Sequence, residues 1–338
     1  MKDNLRLFHF LKIIIINFFI FLTFVLIIEI IFGSWLKNNF SYRLSSERNI
    51  YRVYKFSFLN YEGESVYKRD SNGFRFNEKY IVPKNVDVIF SGGSTTNQKF
   101  LNFKDTIVGN LDKNFDEVKI INAGIDGLSI KGHINSFNYW FNKIDNLSPK
   151  FYIFYIGVND RHLLKEIDKP IDELQESNFK GNLREFLESN SFFYKQFRYL
   201  KAVMYLKFNL ERGVNIVNQK SVVYAERANK KFLQYKIFEE KNLLNKNFSQ
   251  KYSELLSLLT KKVLENNAKP IYITQNSGYG ISQELYSAAE TVMKHCADFN
   301  LSCINLAKDL DLNYEDFYDE LHLNPKGSKK VSDFLTKR

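Results

Sequence analysis

The chain has 338 residues, of which 44% are hydrophobic and 16% aromatic, enough to bury the core of one large domain or two small ones. Its net charge of +10 favours anionic surroundings such as lipid headgroups or acidic polysaccharide. No zinc-ligand spacing and no nucleic-acid motif accompanies that charge, so nucleic acid is not expected as a partner.

The first element is apolar and long. Residues 13–35 are broken only by Asn17, Thr23, Gly33, Ser34 and Glu29. As a helix rising about 1.5 Å per residue, this run spans a hydrocarbon core of about 30 Å. Lys2, Arg6 and Lys12 precede it, which predicts a cytoplasmic segment over residues 1–12, and Trp35 suits the far interface. A cleaved signal peptide would be shorter and would end in small residues, whereas Gly33-Ser34-Trp35-Leu36 is a poor cleavage site. The expectation is an uncleaved single-pass signal anchor with the remaining chain on the periplasmic or cell-surface side. Residues 36–82 read as a stalk and lead-in, rich in Tyr and Arg.

A regular alternation follows over residues 83–338. Strands are predicted at Val86–Ser91, Val118–Asn122, Phe151–Ile156, Pro270–Thr274 and Cys303–Leu306. Helices are predicted from an Asp105 cap through Leu111, over Ile130–Ile144, over Ser282–Phe299, and from Asn324-Pro325 onward. Apolar runs of this kind suit a parallel sheet covered on both faces, a doubly wound α/β domain. Residues from about 163 to 267 interrupt the alternation as a basic, helical insertion. Within it Phe193, Phe197, Leu200, Met204 and Phe208 form one apolar stripe flanked by Lys195, Arg198, Lys201 and Lys207. A helix packed on the domain is the plainer reading, and a lid or membrane-facing surface the alternative. Cys296 and Cys303 are either a clip between the third of these helices and the last strand, or two buried thiols.

The polar clusters fall where the strands end. Ser94 follows the first strand in Ser91-Gly92-Gly93-Ser94-Thr95-Thr96, and Gly124 the second in Asn122-Ala123-Gly124. Gly157-Val158-Asn159-Asp160 follows the third, and Asp319-Glu320-Leu321-His322 lies after the fifth. In doubly wound folds sites gather at the carboxyl ends of the strands. A serine needs a base, and an imidazole needs a group that fixes its tautomer. Asp319 and His322 are close enough in sequence to form that pair. His162 is read as a surface residue, and His133 and His295 as helix residues.

These four blocks, with the lead-in Gly73-Phe74-Arg75, resemble the SGNH/GDSL hydrolase superfamily over about residues 70–338, the inserted middle excepted. The resemblance implies a three-layer α/β/α, flavodoxin-like fold, with Ser94 as nucleophile, His322 as base and Asp319 as its orienting acid. It implies an oxyanion hole built from Ser94, Gly124 and Asn159, and no metal or organic cofactor. Gly93 departs from the commoner Gly-Asp-Ser, and Thr96 rules out a Gly-x-Ser-x-Gly elbow. The expected activity is hydrolysis of carboxylic esters, with O-acyl groups on surface or cell-wall glycans as the candidate substrate and lipid as another. An O-acyltransferase with the same triad, and an inactive tethered binding module, are the alternatives.

Overall fold

The computed structural model describes residues 2–33, 35, 36, 48, 50–58, 60–77, 85–161, 187, 190–194, 196, 197, 200, 204, 214–219, 234–278 and 280–338. Its first element is α1 (Lys2–Phe32), in which Leu11–Phe32 is long and apolar enough to cross a membrane and packs against almost nothing.

A hairpin of β1 (Ile50–Phe58) and β2 (Glu62–Arg69), joined by β6 (Val214–Gln219), forms one sheet, and five strands form the central one: β3 (Val88–Gly92), β4 (Ile120–Asn122), β5 (Phe151–Ile156), β7 (Lys269–Thr274) and β8 (Ser302–Ile304). All pairings in the central sheet are parallel and the order is β4-β3-β5-β7-β8. That is the flavodoxin-like doubly wound order. Side chains alternate across the sheet. Ile89, Tyr152, Phe154 and Tyr272 pack with Ile134, Phe137, Leu256 and Val292 on one face. Val88, Phe90, Tyr155 and Ile273 pack with Val108, Leu111 and Val331 on the other. Burial on both faces is why these strands read as unbroken apolar runs.

The first face is covered by α4 (Ile130–Tyr139), α6 (Lys246–Glu265) and α7 (Gln283–Phe299), and the second by α3 (Ile107–Asn114) and α9 (Pro325–Leu335). The short helices α2 (Ser94–Asn97), α5 (Tyr235–Glu240) and α8 (Leu306–Asp309) complete the numbering. Asn324 caps α9 as expected, and Ser282, read only as the start of a helix, caps α7; each accepts a first-turn amide. The cap of α3 is Thr106 rather than Asp105. The Thr106 hydroxyl accepts from Gly109 N at 2.9 Å, while Asp105 closes a preceding 3-10 turn. The helix predicted through Ile144 ends at Tyr139 and passes into a 3-10 turn over Phe141–Lys143.

The lead-in is more than a stalk. Residues Ile50–Phe58 (β1) and Glu62–Arg69 (β2) form an antiparallel hairpin, and Val214–Gln219 (β6) adds to β1 in parallel. Tyr54, Phe56, Phe58 and Tyr67 of the hairpin cluster with Leu101 and Tyr318. The insertion is also shorter than the sequence suggested, because α6 is a regular covering helix of the main sheet. Cys296 and Cys303 form a disulfide with Cα atoms 6.2 Å apart, joining α7 to β8. His162, Phe208 and the basic residues Lys195, Arg198, Lys201 and Lys207 lie outside the described residues.

Candidate active site

At the carboxyl end of β3 the chain leaves the sheet through Gly92 and Gly93 and turns at once into α2, whose first residue is Ser94. The position of α2 is fixed by buried polar groups. The guanidinium of Arg75, fully buried, donates to the carbonyls of Asn97, Gln98 (3.1 Å) and Leu101 (2.9 Å). Asn122 Nδ2 donates to Thr96 O at 2.6 Å. Gln275, at the end of β7, donates to Thr95 Oγ1 at 2.7 Å and accepts from Val158 N at 2.8 Å, so one side chain ties together the ends of three strands.

The loop after β5 is held by Asp160. Its carboxylate accepts from Ile130 N (2.7 Å), Gly157 N (3.0 Å) and the Tyr252 hydroxyl (2.7 Å). Asp160 thus caps α4 from another segment, and Asn159 is presented beside β3. Asn159 Nδ2 donates one proton to Leu128 O at 2.9 Å, leaving its second N–H for a ligand. The loop carrying the histidine is closed by an antiparallel bridge between Phe317 and Leu323. Tyr318 N donates to His322 O at 2.9 Å, and the two rings stack with centroids 5.5 Å apart. Asn60, in the turn between β1 and β2, donates to the carbonyls of Tyr314 and Phe317, each at 3.1 Å.

These loops bring Ser94, His322 and Asp319 into one line. His322 Nε2 lies 2.7 Å from Ser94 Oγ, and His322 Nδ1 lies 2.7 Å from Asp319 Oδ2. Asp319 Oδ1 also accepts the backbone amides of Leu321 (2.9 Å) and His322 (2.8 Å). Burial raises the Asp319 pKa, but the hydrogen bond and charge of the His322 ring and those two amides outweigh it. Its carboxyl therefore titrates below the ordinary value of 3.8. Ser94 and Asn159 flank the boundary between β3 and β5, where the strand order reverses and a doubly wound sheet opens a crevice.

A family model described as GDSL-like lipase/acylhydrolase matches residues 68–335. The chain belongs to that family. Membership in the GDSL-like lipase/acylhydrolase family makes it a hydrolase that acts on esters. Among solved structures it is similar to a member of the lipolytic protein G-D-S-L family from Veillonella parvula, at 12% identity and TM-score 0.40, covering 75% of this chain and 97% of that one. It is similar to the acetyl xylan esterase AlAXEase at 15% identity and TM-score 0.40, covering 75% and 98%. A third is an acetylxylan esterase from Geobacillus stearothermophilus, at 11% identity and TM-score 0.42, covering 75% and 93%. No curated protein matches the sequence.

The amide of Gly124, expected from the resemblance as an oxyanion donor, already donates to Asn122 Oδ1 at 2.8 Å. Gly124 is glycine for packing: a β-carbon there would overlap the Asn97 backbone. Gly127, three residues on, has φ +75° and is exposed, and its amide makes no hydrogen bond among the described residues. The Asp126-Gly127 pair is a turn dipeptide, a signal that could have drawn attention to Gly127 but was passed over. Sequence reasoning also passed over Asn97. Its side chain accepts from Tyr67 OH and Arg69 and donates to Asp126 at 2.8 Å. Asp126 pairs in turn with Lys99 at 2.8 Å. Of the other histidines, His133 is buried, its ring 3.0 Å from Ser91 Oγ, and His295 lies 2.9 Å from Thr260 Oγ1. Both serve the core.

Proposed function

We propose that the chain is a membrane-tethered serine esterase whose triad is Ser94, His322 and Asp319. The observation that carries this reading is the continuous pair of 2.7 Å contacts from Ser94 Oγ through the His322 ring to Asp319. Asp319, ionised at neutral pH, holds the proton of Nδ1 and leaves Nε2 free to accept. Ser94 Oγ attacks the ester carbonyl as its proton passes to Nε2. The oxyanion is met by the amides of Ser94 and Gly127 and by Asn159 Nδ2, with Ser94 at the start of α2. His322 then protonates the departing alcohol. Water, deprotonated by the same ring, cleaves the acyl-Ser94 ester and restores the serine.

The tether is Leu11–Phe32, which overlaps the apolar run of residues 13–35. An anchor with residues 1–12 in the cytoplasm holds residues 83–338 at the outer face of that membrane, where O-acyl groups on surface or cell-wall glycans are the substrates at hand. Ser94→Ala is expected to abolish both hydrolysis of short acyl esters and labelling by a fluorophosphonate probe, with an unchanged circular dichroism spectrum. Full residual hydrolysis would sink the assignment of Ser94.

A further inference from the structure

The stripe read from the sequence as a packed helix face is bare. Phe193, Phe197, Leu200 and Met204, at helical positions spaced four, three and four apart, are 39%, 65%, 57% and 48% exposed. Four large apolar side chains on one face of a helix need a cover. The cover is indicated by where this helix begins. Glu29, near the end of α1, accepts the Ser191 hydroxyl at 2.5 Å and the amides of Phe192 (2.9 Å) and Phe193 (3.1 Å). It also accepts Trp35 Nε1 at 2.8 Å, and the rings of Phe32 and Phe192 meet at 5.4 Å. A carboxylate on an apolar helix is costly unless it is paired or hydrogen-bonded. Here it caps the helical turn that opens at Phe192 and fixes that turn to the end of α1.

We infer that this stripe lies in the headgroup and upper acyl region of an anionic bilayer, beside the end of α1 that carries Glu29. The inference rests on reading α1 as membrane-spanning. Two features favour lipid over a second protein. The stripe begins where the ring of Phe192 meets Phe32, beside the exposed apolar surface of α1. Lys195, Arg198, Lys201 and Lys207 interleave with the stripe in sequence, the composition of a helix that lies in an anionic interface. The active-site domain would then be fixed against the membrane by two elements rather than swinging on one.

The test uses the full chain, its Cys296–Cys303 disulfide intact, reconstituted in vesicles of phosphatidylcholine and phosphatidylglycerol. Variants with one added cysteine, Phe197→Cys and Ile20→Cys, carry an environment-sensitive fluorophore on that free thiol, and Ser94 labelling confirms that each is folded. Both labels are expected to lose fluorescence to spin-labelled lipid and to resist aqueous iodide. Loss at position 197 is expected to weaken in vesicles of phosphatidylcholine alone, and equal loss there would overturn the anionic preference. Lipid quenching at position 20 with iodide quenching at 197 overturns the inference and leaves the anchor standing. Shielding of position 197 from both quenchers means that protein covers the stripe, which also overturns it. Absence of lipid quenching at position 20 removes the anchor and the inference together.

Discussion

Gly93 stands where the common form of the family motif has aspartate, and its surroundings explain the exchange. A β-carbon at Gly93 would overlap Asn159 Nδ2. The glycine therefore lets the Asn159 amide approach the turn that delivers Ser94. Gly93→Asp, which restores the family spelling, is expected to push Asn159 off Leu128 O and remove one oxyanion donor. Its kcat should fall about 10²- to 10³-fold. The atom displaced is the end of a side chain, so the thermal midpoint should hardly move, and steady-state kinetics beside a melting curve separates the two effects. Asp319 gives a second test. Asp319→Asn retains the shape but not the charge that fixes the His322 tautomer, and kcat should drop on the order of 10⁴-fold. Because folding lowers the Asp319 pKa, its contribution to stability is present above the unfolded value near 3.8 and lost as pH falls through the folded value. The gap in urea midpoint between wild type and Asp319→Asn should accordingly shrink below about pH 4. At this scale the sequence drew attention to Ser94, Asp319 and His322 through their place after the strands, and the structure sets them within hydrogen-bond reach of one another. Gly124 and Gly127 could not be told apart in this way, because two glycines of one turn differ only in what their amides bond to.

Among the elements, the strands of the main sheet were legible because both faces are buried and Phe151–Ile156 carries no polar residue. The hairpin was not, because β1 alternates Arg52, Lys55 and Ser57 with its inward residues and reads as solvated chain. Yet the hairpin reaches the catalytic loop through Asn60 and the ring cluster around Tyr318. The Gly73-Phe74-Arg75 segment that follows β2 holds α2 from the other side. Arg75 remains charged at neutral pH although desolvation lowers its pKa to about 10. Arg75→Ala would remove the guanidinium that donates to the carbonyls of Asn97, Gln98 and Leu101, of which Gln98 O keeps the Leu101 amide, and is expected to cost about 2–3 kcal/mol of stability. Urea denaturation monitored by far-UV circular dichroism measures that loss.

At the scale of the molecule, the disulfide lies at the β8 edge of the sheet, while the triad gathers about β3 and β5. Stability and catalysis should thus separate. Replacing both Cys296 and Cys303 by Ser is expected to cost about 2–3 kcal/mol, the loop-closure effect of so short a ring. Its kcat should remain that of the wild type, which the same urea titration and an ester assay will check. The disulfide and the apolar helix Leu11–Phe32 are independent features, and both support the proposed placement of the domain outside a reducing compartment.

The order in which the site is assembled follows from its sequence span. Ser94 and His322 are 228 positions apart, and the loop bearing His322 is closed by α9, whose Ser328 accepts from Gln98 Nε2 at 2.6 Å just after α2. On the proposed triad, a growing chain exposes Ser94 long before it owns a base. Until α9 docks, that hydroxyl is an ordinary alcohol, and a chain cut short of His322 is expected to be inert toward esters however well its sheet has formed. The proposed enzyme is thus latent until the segment that carries His322 has emerged and folded back onto α2.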